Sequence, residues 1–337
     1  MRTRRLGNTD LKLTIVGLGT WAMGGPWQFG WGPQDENEAI AAILKALDLG
    51  INWIDTAAIY GCGHSEELVG RALKQTKIKP IIATKCSLLW NDKREKIGCL
   101  KAESIRKECE ESLNRLGVEV IDLYQMHWPD PEKDIEEGWG EMARLQKQGK
   151  VRYIGVCNYN TAQLDRIRKI ASVAGSAGDE ISPLGGPVAS LQPPYSMIRR
   201  GVEAELLPYC AKNNIGVVAY SPMQRGLLTG KFSKKYLATL APDDHRLKSG
   251  DYQEPEFSAT LALVDKLRPI AKRNKKTLAQ LAIAWVLRRP EVTAAIVGAR
   301  KPSQIAETAP AADWVLTEND IAEIEKLLAE RENKLAK

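Results

Sequence analysis

The sequence is short of the features that announce a specialised chain. Its six cysteines (Cys62, Cys86, Cys99, Cys109, Cys157 and Cys210) are scattered and form no C-x-x-C pair. Neither a zinc site nor a disulfide framework is signalled. No apolar run approaches the roughly 18 residues that a membrane helix needs. No lysine or arginine block is long enough for a nucleic-acid arm. The 48 Lys+Arg against 42 Asp+Glu leave a net charge of only +6. The opening MRTRRLGNTD is basic, but Asp10 and Lys12, then Gly17, Gly19, Gly24 and Gly25, break the apolar stretch that a secretion signal requires. It reads instead as a first β segment. A cytoplasmic protein with reduced thiols is expected, with no metal and no membrane or nucleic-acid partner.

What is present is an ordinary globular composition: 337 residues, 44% apolar and 27% charged. That length suits two average domains or one large α/β barrel. Short β-branched runs alternate with helical patterns. Strands are expected at 14–20, 53–56, 80–85, 121–127, 151–157, 187–192, 216–221 and 293–298. Helices are expected at 37–49, 65–74, 101–116, 135–148, 161–171, 202–213, 258–273 and 302–309, with Ser65 as an N-cap. Two further helices, at 277–288 and 317–332, fall outside the pairing. Strict alternation of this kind gives parallel strands with helical crossovers. Eight pairs in about 300 residues point to a (β/α)₈ TIM barrel, with extra helices and the short N-terminal β segment, over 1–337 as one unit. The rival is a doubly wound sheet. Residues 17–25, GLGTWAMGG, match its glycine fingerprint only weakly, and no acidic ribose ligand follows at the right distance. The Gly/Ser/Pro-rich stretch 172–187 reads as a loop on the N-terminal face, and 223–257 as a long loop on the catalytic face.

In such a barrel, chemistry gathers at the C-terminal ends of strands. Asp55 and Tyr60, Lys85, His127, Cys157 and Asn158, Gln192, and Tyr220 with Ser221 close successive apolar runs. Each has a plainer use. Asp55 suits a helix cap, Lys85 a solvent-seeking strand end, His127 a core histidine and Tyr60 a surface turn. Together they suggest proton delivery to an oxygen. A phenol is a weak acid, with an unperturbed pKa near 10. A neighbouring ammonium is expected to lower that value, a carboxylate to hold the ammonium, and an imidazole to orient the oxygen.

The same segments resemble the aldo-keto reductase family. They are VGLGTW (16–21), NWIDTAAIYG (52–61) with GHSEELVG (63–70), and LNRLGVEVIDLYQMHWPD (113–130). GKVRYIGVCNY (149–159), LQPPYS (191–196), AYSPMQRGLLTGK (219–231) and IVGARKPSQIAE (296–307) follow in the family's order. The resemblance implies Tyr60 as general acid, tuned by Lys85 and Asp55, with His127 polarising the carbonyl. It implies NADPH/NADP⁺ as cofactor. Asn158 and Gln192 would hold the carboxamide, and Tyr220 would stack on the nicotinamide. Ser221, Pro222, Met223, Gly226 and Lys231 would wrap the pyrophosphate, with Arg246 as a further phosphate contact. Gly19, Thr20, Trp21 and Asp55 would border the cofactor. Gly298 would also border the cofactor, Arg300 would meet the 2′-phosphate, helped by Lys301, and Gln304 and Glu307 the adenine. Arg225 also falls on a phosphate-facing loop. Cys157 stands where many relatives have Ser, and Thr308 where Asn is frequent.

Trp21, Trp27, Phe29, Trp31, Trp90 and Trp128 follow strands on the catalytic face and make the expected substrate pocket aromatic. The implied function is reduction of apolar or aromatic aldehydes and ketones, with broad tolerance. Two other readings stand beside it: a non-catalytic NADP(H) sensor or regulatory subunit on the same fold, and a Schiff-base aldolase using Lys85. The oligomeric state is open.

Overall fold

The computed structural model describes residues 1–173 and 186–336. Its strands, in chain order, are β1 (Thr3–Arg5), β2 (Lys12–Thr14), β3 (Val16–Gly19), β4 (Trp53–Asp55), β5 (Ile81–Cys86) and β6 (Leu88–Trp90). They continue as β7 (Lys96–Gly98), β8 (Ile121–Met126), β9 (Val151–Cys157), β10 (Ser190–Gln192), β11 (Gly216–Ala219) and β12 (Val292–Gly298). Eight of them close a barrel in the order β3-β4-β5-β8-β9-β10-β11-β12. All neighbours are parallel, and β12 returns to β3 with Ala295 opposite Val16 and Gly298 opposite Gly19. This is the (β/α)₈ TIM barrel. No described helix is long and apolar enough to cross a membrane.

Two-residue alternation sorts the strand side chains. Ile54, Ile82, Tyr124, Met126, Val217 and Val297 face outward into the apolar layer under the helices. Trp53, Ala83, Leu123, Val218, Ala294 and Ile296 fill the barrel interior. The same parity carries Asp55 and Lys85 inward, two residues beyond Trp53 and Ala83. His127, one residue past β8, keeps the parity of Leu123. The N-terminal hairpin β1–β2 adds Leu6, Leu11 and Leu13 to the interior cluster, so it plugs the N-terminal end of the barrel. Its turn needs Gly7: φ is +47°, and a Cβ there would lie 2.4 Å from the Gly216 nitrogen.

The structure departs from the sequence reading in places. The 187–192 strand is confined to Ser190–Gln192, and the 216–221 strand stops at Ala219, because Ser221 turns to φ 56°. The 202–213 helix begins only at Leu206. Ser65 is not a cap. The helix His64–Leu73 starts after Gly63, at φ 96°, and the Ser65 hydroxyl donates to Thr20 Oγ1 at 2.7 Å. The antiparallel hairpin β6–β7, between β5 and the helix Ala102–Leu116, was not expected. Most of the loop expected at 172–187 lies outside the described residues. The stretch 223–257 carries only short helical turns before the helix Glu256–Arg273.

Candidate active site

The inward parity of β4 and β5 buries a charged pair at the C-terminal end of the barrel. Lys85 Nζ donates to Asp55 Oδ1 at 2.6 Å, to the Thr56 carbonyl at 2.8 Å and to the Tyr60 phenol oxygen at 3.3 Å. An ammonium has three N–H donors, and all three are used. The second Asp55 oxygen accepts from Gln192 Nε2 at 2.8 Å. Because the lysine donates to the phenol oxygen, the Tyr60 hydroxyl hydrogen is left to point elsewhere, and Tyr60 lines a large cavity. The His127 ring stands edge-on to the Tyr60 ring, centroids 5.7 Å apart, on the same wall. Lys85 itself does not reach that wall and is 1% exposed.

Electrostatics correct one expectation. Burial raises the Tyr60 pKa above its ordinary value, and the Lys85 charge opposes the rise without cancelling it. Tyr60 is therefore held as the neutral acid. Burial works against the Lys85 charge too, but Asp55 and Tyr60 overcome it, so the ammonium pKa lies above its ordinary value. Burial also pushes the Asp55 carboxyl up, against the pull of Lys85 and Gln192. His127 is pushed well below the ordinary histidine value, first by burial and then by Lys85 and Lys96. It is neutral near pH 7 and can offer one N–H.

Behind this group, backbone strain is held by specific bonds. Ser87, Asn158 and Ser221 follow β5, β9 and β11 at φ 74°, 64° and 56°. L-residues adopt such values at some cost, and they gather at functional sites. The Ser87 hydroxyl oxygen accepts from the N–H groups of His127 and Trp128, at 3.1 and 3.3 Å. Asn158 donates to the His127 carbonyl at 3.1 Å and accepts from the Tyr220 hydroxyl at 2.9 Å. Sequence reading passed over Ser87. Its only signal was a polar residue directly after the Lys85 strand.

The cavity has a volume of about 590 Å³. Of the residues expected to meet the cofactor, Gly19, Trp21, Asp55, Asn158, Gln192, Tyr220, Ser221, Pro222, Met223, Gly226, Lys231, Arg246, Gly298, Arg300, Gln304 and Glu307 all line it. Thr20 does not: it is buried, with its hydroxyl bound to Ser65 and the Asp55 carbonyl. Trp21, Trp27 and Trp128 line the cavity, with Phe29 and Trp31. Trp90 does not. It packs in a cluster with Trp27 and Tyr60, because it sits on the unexpected hairpin.

Several of the lining cations already have partners. Lys231 pairs with Glu307 at 2.9 Å, and Arg225 with Asp251 at 2.7 Å. Arg246 grips Asp244 through Nε at 2.9 Å and Nη2 at 2.6 Å, with its guanidinium 4.3 Å from the Trp31 ring centre. Arg300 donates to Gln34 Oε1 at 2.6 Å, to the Trp31 carbonyl at 3.1 Å and to the Pro33 carbonyl. An arginine has five N–H donors, so two remain for a ligand. Gln304 Oε1 accepts from the backbone N–H of Arg300 and Lys301, at 2.7 and 3.2 Å, which fixes the turn after β12. Cys157 takes the Asn158 amide on its sulfur at 3.1 Å, and Thr308 spends its hydroxyl on the Gln304 carbonyl at 2.9 Å. A wall with cations along one stretch and aromatic rings and amides along another has the donor chemistry for a nicotinamide dinucleotide.

The sequence matches the profile of the Aldo/keto reductase family over residues 15–329. It is 38% identical to the Aldo-keto reductase YhdN of Bacillus subtilis (strain 168), over 97% of this chain and 94% of that one. It is 34% identical to the NADH-specific methylglyoxal reductase of Escherichia coli (strain K12), over 95% of this chain and 96% of that one. Among solved structures, the glycerol dehydrogenase AKR11B4 from Gluconobacter oxydans superposes with a TM-score of 0.85. The two are 39% identical, and the match covers 98% of this chain and 95% of that one.

Proposed function

The chain belongs to the aldo/keto reductase family, and from that premise we propose that it is an NADPH-dependent reductase of apolar and aromatic aldehydes and ketones, with Tyr60 as the general acid. The observation that carries the reading is the Tyr60–Lys85–Asp55 chain. The Lys85 ammonium is bonded to the phenol oxygen at 3.3 Å and to Asp55 at 2.6 Å, with the phenol on the cavity wall. The cofactor, when bound, supplies a hydride. Tyr60 gives its proton to the carbonyl oxygen as charge builds there. Lys85 then stabilises the phenolate left behind, at the moment when that charge exists. Neutral His127 offers an N–H to the same oxygen. Trp27, Phe29 and Trp128 give the substrate an apolar wall and exclude water from it.

For the cofactor, Asn158 and Gln192 supply amides at the nicotinamide end, and Tyr220 a ring face. Lys231, Arg246 and Arg300 supply charge at the phosphate end. The two spare donors of Arg300 favour a 2′-phosphate, hence NADPH over NADH. The Schiff-base reading loses support. Lys85 stays charged and buried, with all three donors used, and an aldolase lysine must present a free amine to its substrate.

The test is direct. Purified protein with NADPH and 4-nitrobenzaldehyde should consume NADPH, seen as lost nicotinamide absorbance. Tight NADPH binding with no turnover over a panel of aldehydes contradicts the reductase reading and favours a sensor.

A further inference from the structure

Several cations on the cavity wall sit in close ion pairs within the protein, Arg225 with Asp251 at 2.7 Å, Lys231 with Glu307 at 2.9 Å and Arg246 with Asp244 at 2.6 Å. Lys96 differs. It stands on β7 opposite Trp90 and lines the cavity together with His127, Trp128, Trp27 and Leu88. Its backbone N–H donates to Gln28 Oε1 at 2.9 Å, which ties the hairpin to the 26–31 segment. Its ammonium has Asp130 Oδ2 at 3.6 Å, too long for a good hydrogen bond, and its side chain is 32% exposed. An ammonium carries three donors, so Lys96 has capacity left beside His127 and the apolar side chains of Trp27, Trp128 and Leu88. Its charge is felt at His127, where it opposes protonation. Among the described residues, the carboxylates lining the cavity are Asp55, held by Lys85 and Gln192, and Glu307, held by Lys231, and neither competes for Lys96.

We propose that Lys96 is a specificity-determining residue that reads an anionic group on the substrate, so that the favoured substrates are apolar or aromatic carbonyl compounds carrying a carboxylate remote from the carbonyl. The inference rests on the reductase reading. With the carbonyl oxygen between Tyr60 and His127, the body of the substrate lies along Trp27 and Trp128, and its far end meets the Lys96 hairpin. A carboxylate there gains charge-assisted hydrogen bonds in a partly water-excluded site. The methyl ester of the same compound keeps the shape and loses the charge.

The experiment compares 2-, 3- and 4-carboxybenzaldehyde with their methyl esters by kcat/KM for NADPH oxidation. At least one acid is expected to be preferred over its ester by about fivefold or more at low salt. That preference should shrink as ionic strength rises. Lys96→Met should abolish the preference, and Asp130→Asn should enlarge it by freeing the ammonium. Binding of the same acid and ester to protein loaded with NADP⁺, where no hydride is available, gives the comparison without turnover. An acid preference in binding that Lys96→Met removes supports the inference even where no aldehyde is reduced, a result that overturns only the reductase reading. Turnover or binding in which every acid and its ester are equal, or a preference that survives Lys96→Met, overturns the inference.

Discussion

The residue that decides the chemistry is Lys85, and it decides stability as well. A fully buried ammonium with three satisfied donors is tolerable only while Asp55 stays beside it. Lys85→Met leaves the Asp55 carboxylate buried without its counter-charge and should cost about 3–5 kcal/mol of unfolding free energy. The double variant Lys85→Met/Asp55→Leu removes both charges and should recover much of that loss while remaining inactive. Urea unfolding of the two variants checks this; a double variant no more stable than the single one contradicts it. At this scale the sequence was readable for Asp55, Lys85 and His127, because each closes an apolar strand run at the end where a barrel gathers its chemistry. It was not readable for the Tyr60 pKa. The lowering by Lys85 was foreseen, but the opposing burial depends on tertiary packing that no local pattern contains.

At the scale of elements, the eight βα units were legible because their apolar runs differ in period from the helices between them. The β6–β7 hairpin was not, because two three-residue strands leave no periodicity to count. That omission also misplaced Trp90. The segment 31–34 and the turn after β12 are joined through Arg300, which binds the Trp31 and Pro33 carbonyls and the Gln34 side chain. Arg300 thus serves the fold and, in our reading, the cofactor. Arg300→Ala should weaken NADPH binding by about tenfold or more relative to NADH, since a charge-assisted fork on the 2′-phosphate is lost. Equal weakening of the two cofactors, measured by fluorescence titration, would assign Arg300 to the segment 31–34 alone.

For the whole molecule, stability should depend on pH from two buried groups. His127 has a depressed pKa in the folded protein. The unfolded chain therefore takes up a proton first as pH falls, and stability drops below about pH 6.5. Glu108 lies on the helix Ala102–Leu116, with Ser104 donating to it at 3.0 Å, and burial raises its pKa from 4.5 to about 8. Its contribution is complete below the unfolded value and is lost as pH rises through about 8. Glu108→Gln should remove that loss, so its Tm should gain on the wild type between pH 5 and 8; parallel Tm curves would show that Glu108 does not titrate in the fold. The central claim is that Tyr60 delivers the proton in carbonyl reduction, and single-turnover NADPH oxidation with 4-nitrobenzaldehyde tests it most directly. Tyr60→Phe should slow that step by about a hundredfold or more while NADPH affinity is kept, whereas an undiminished rate would contradict the account.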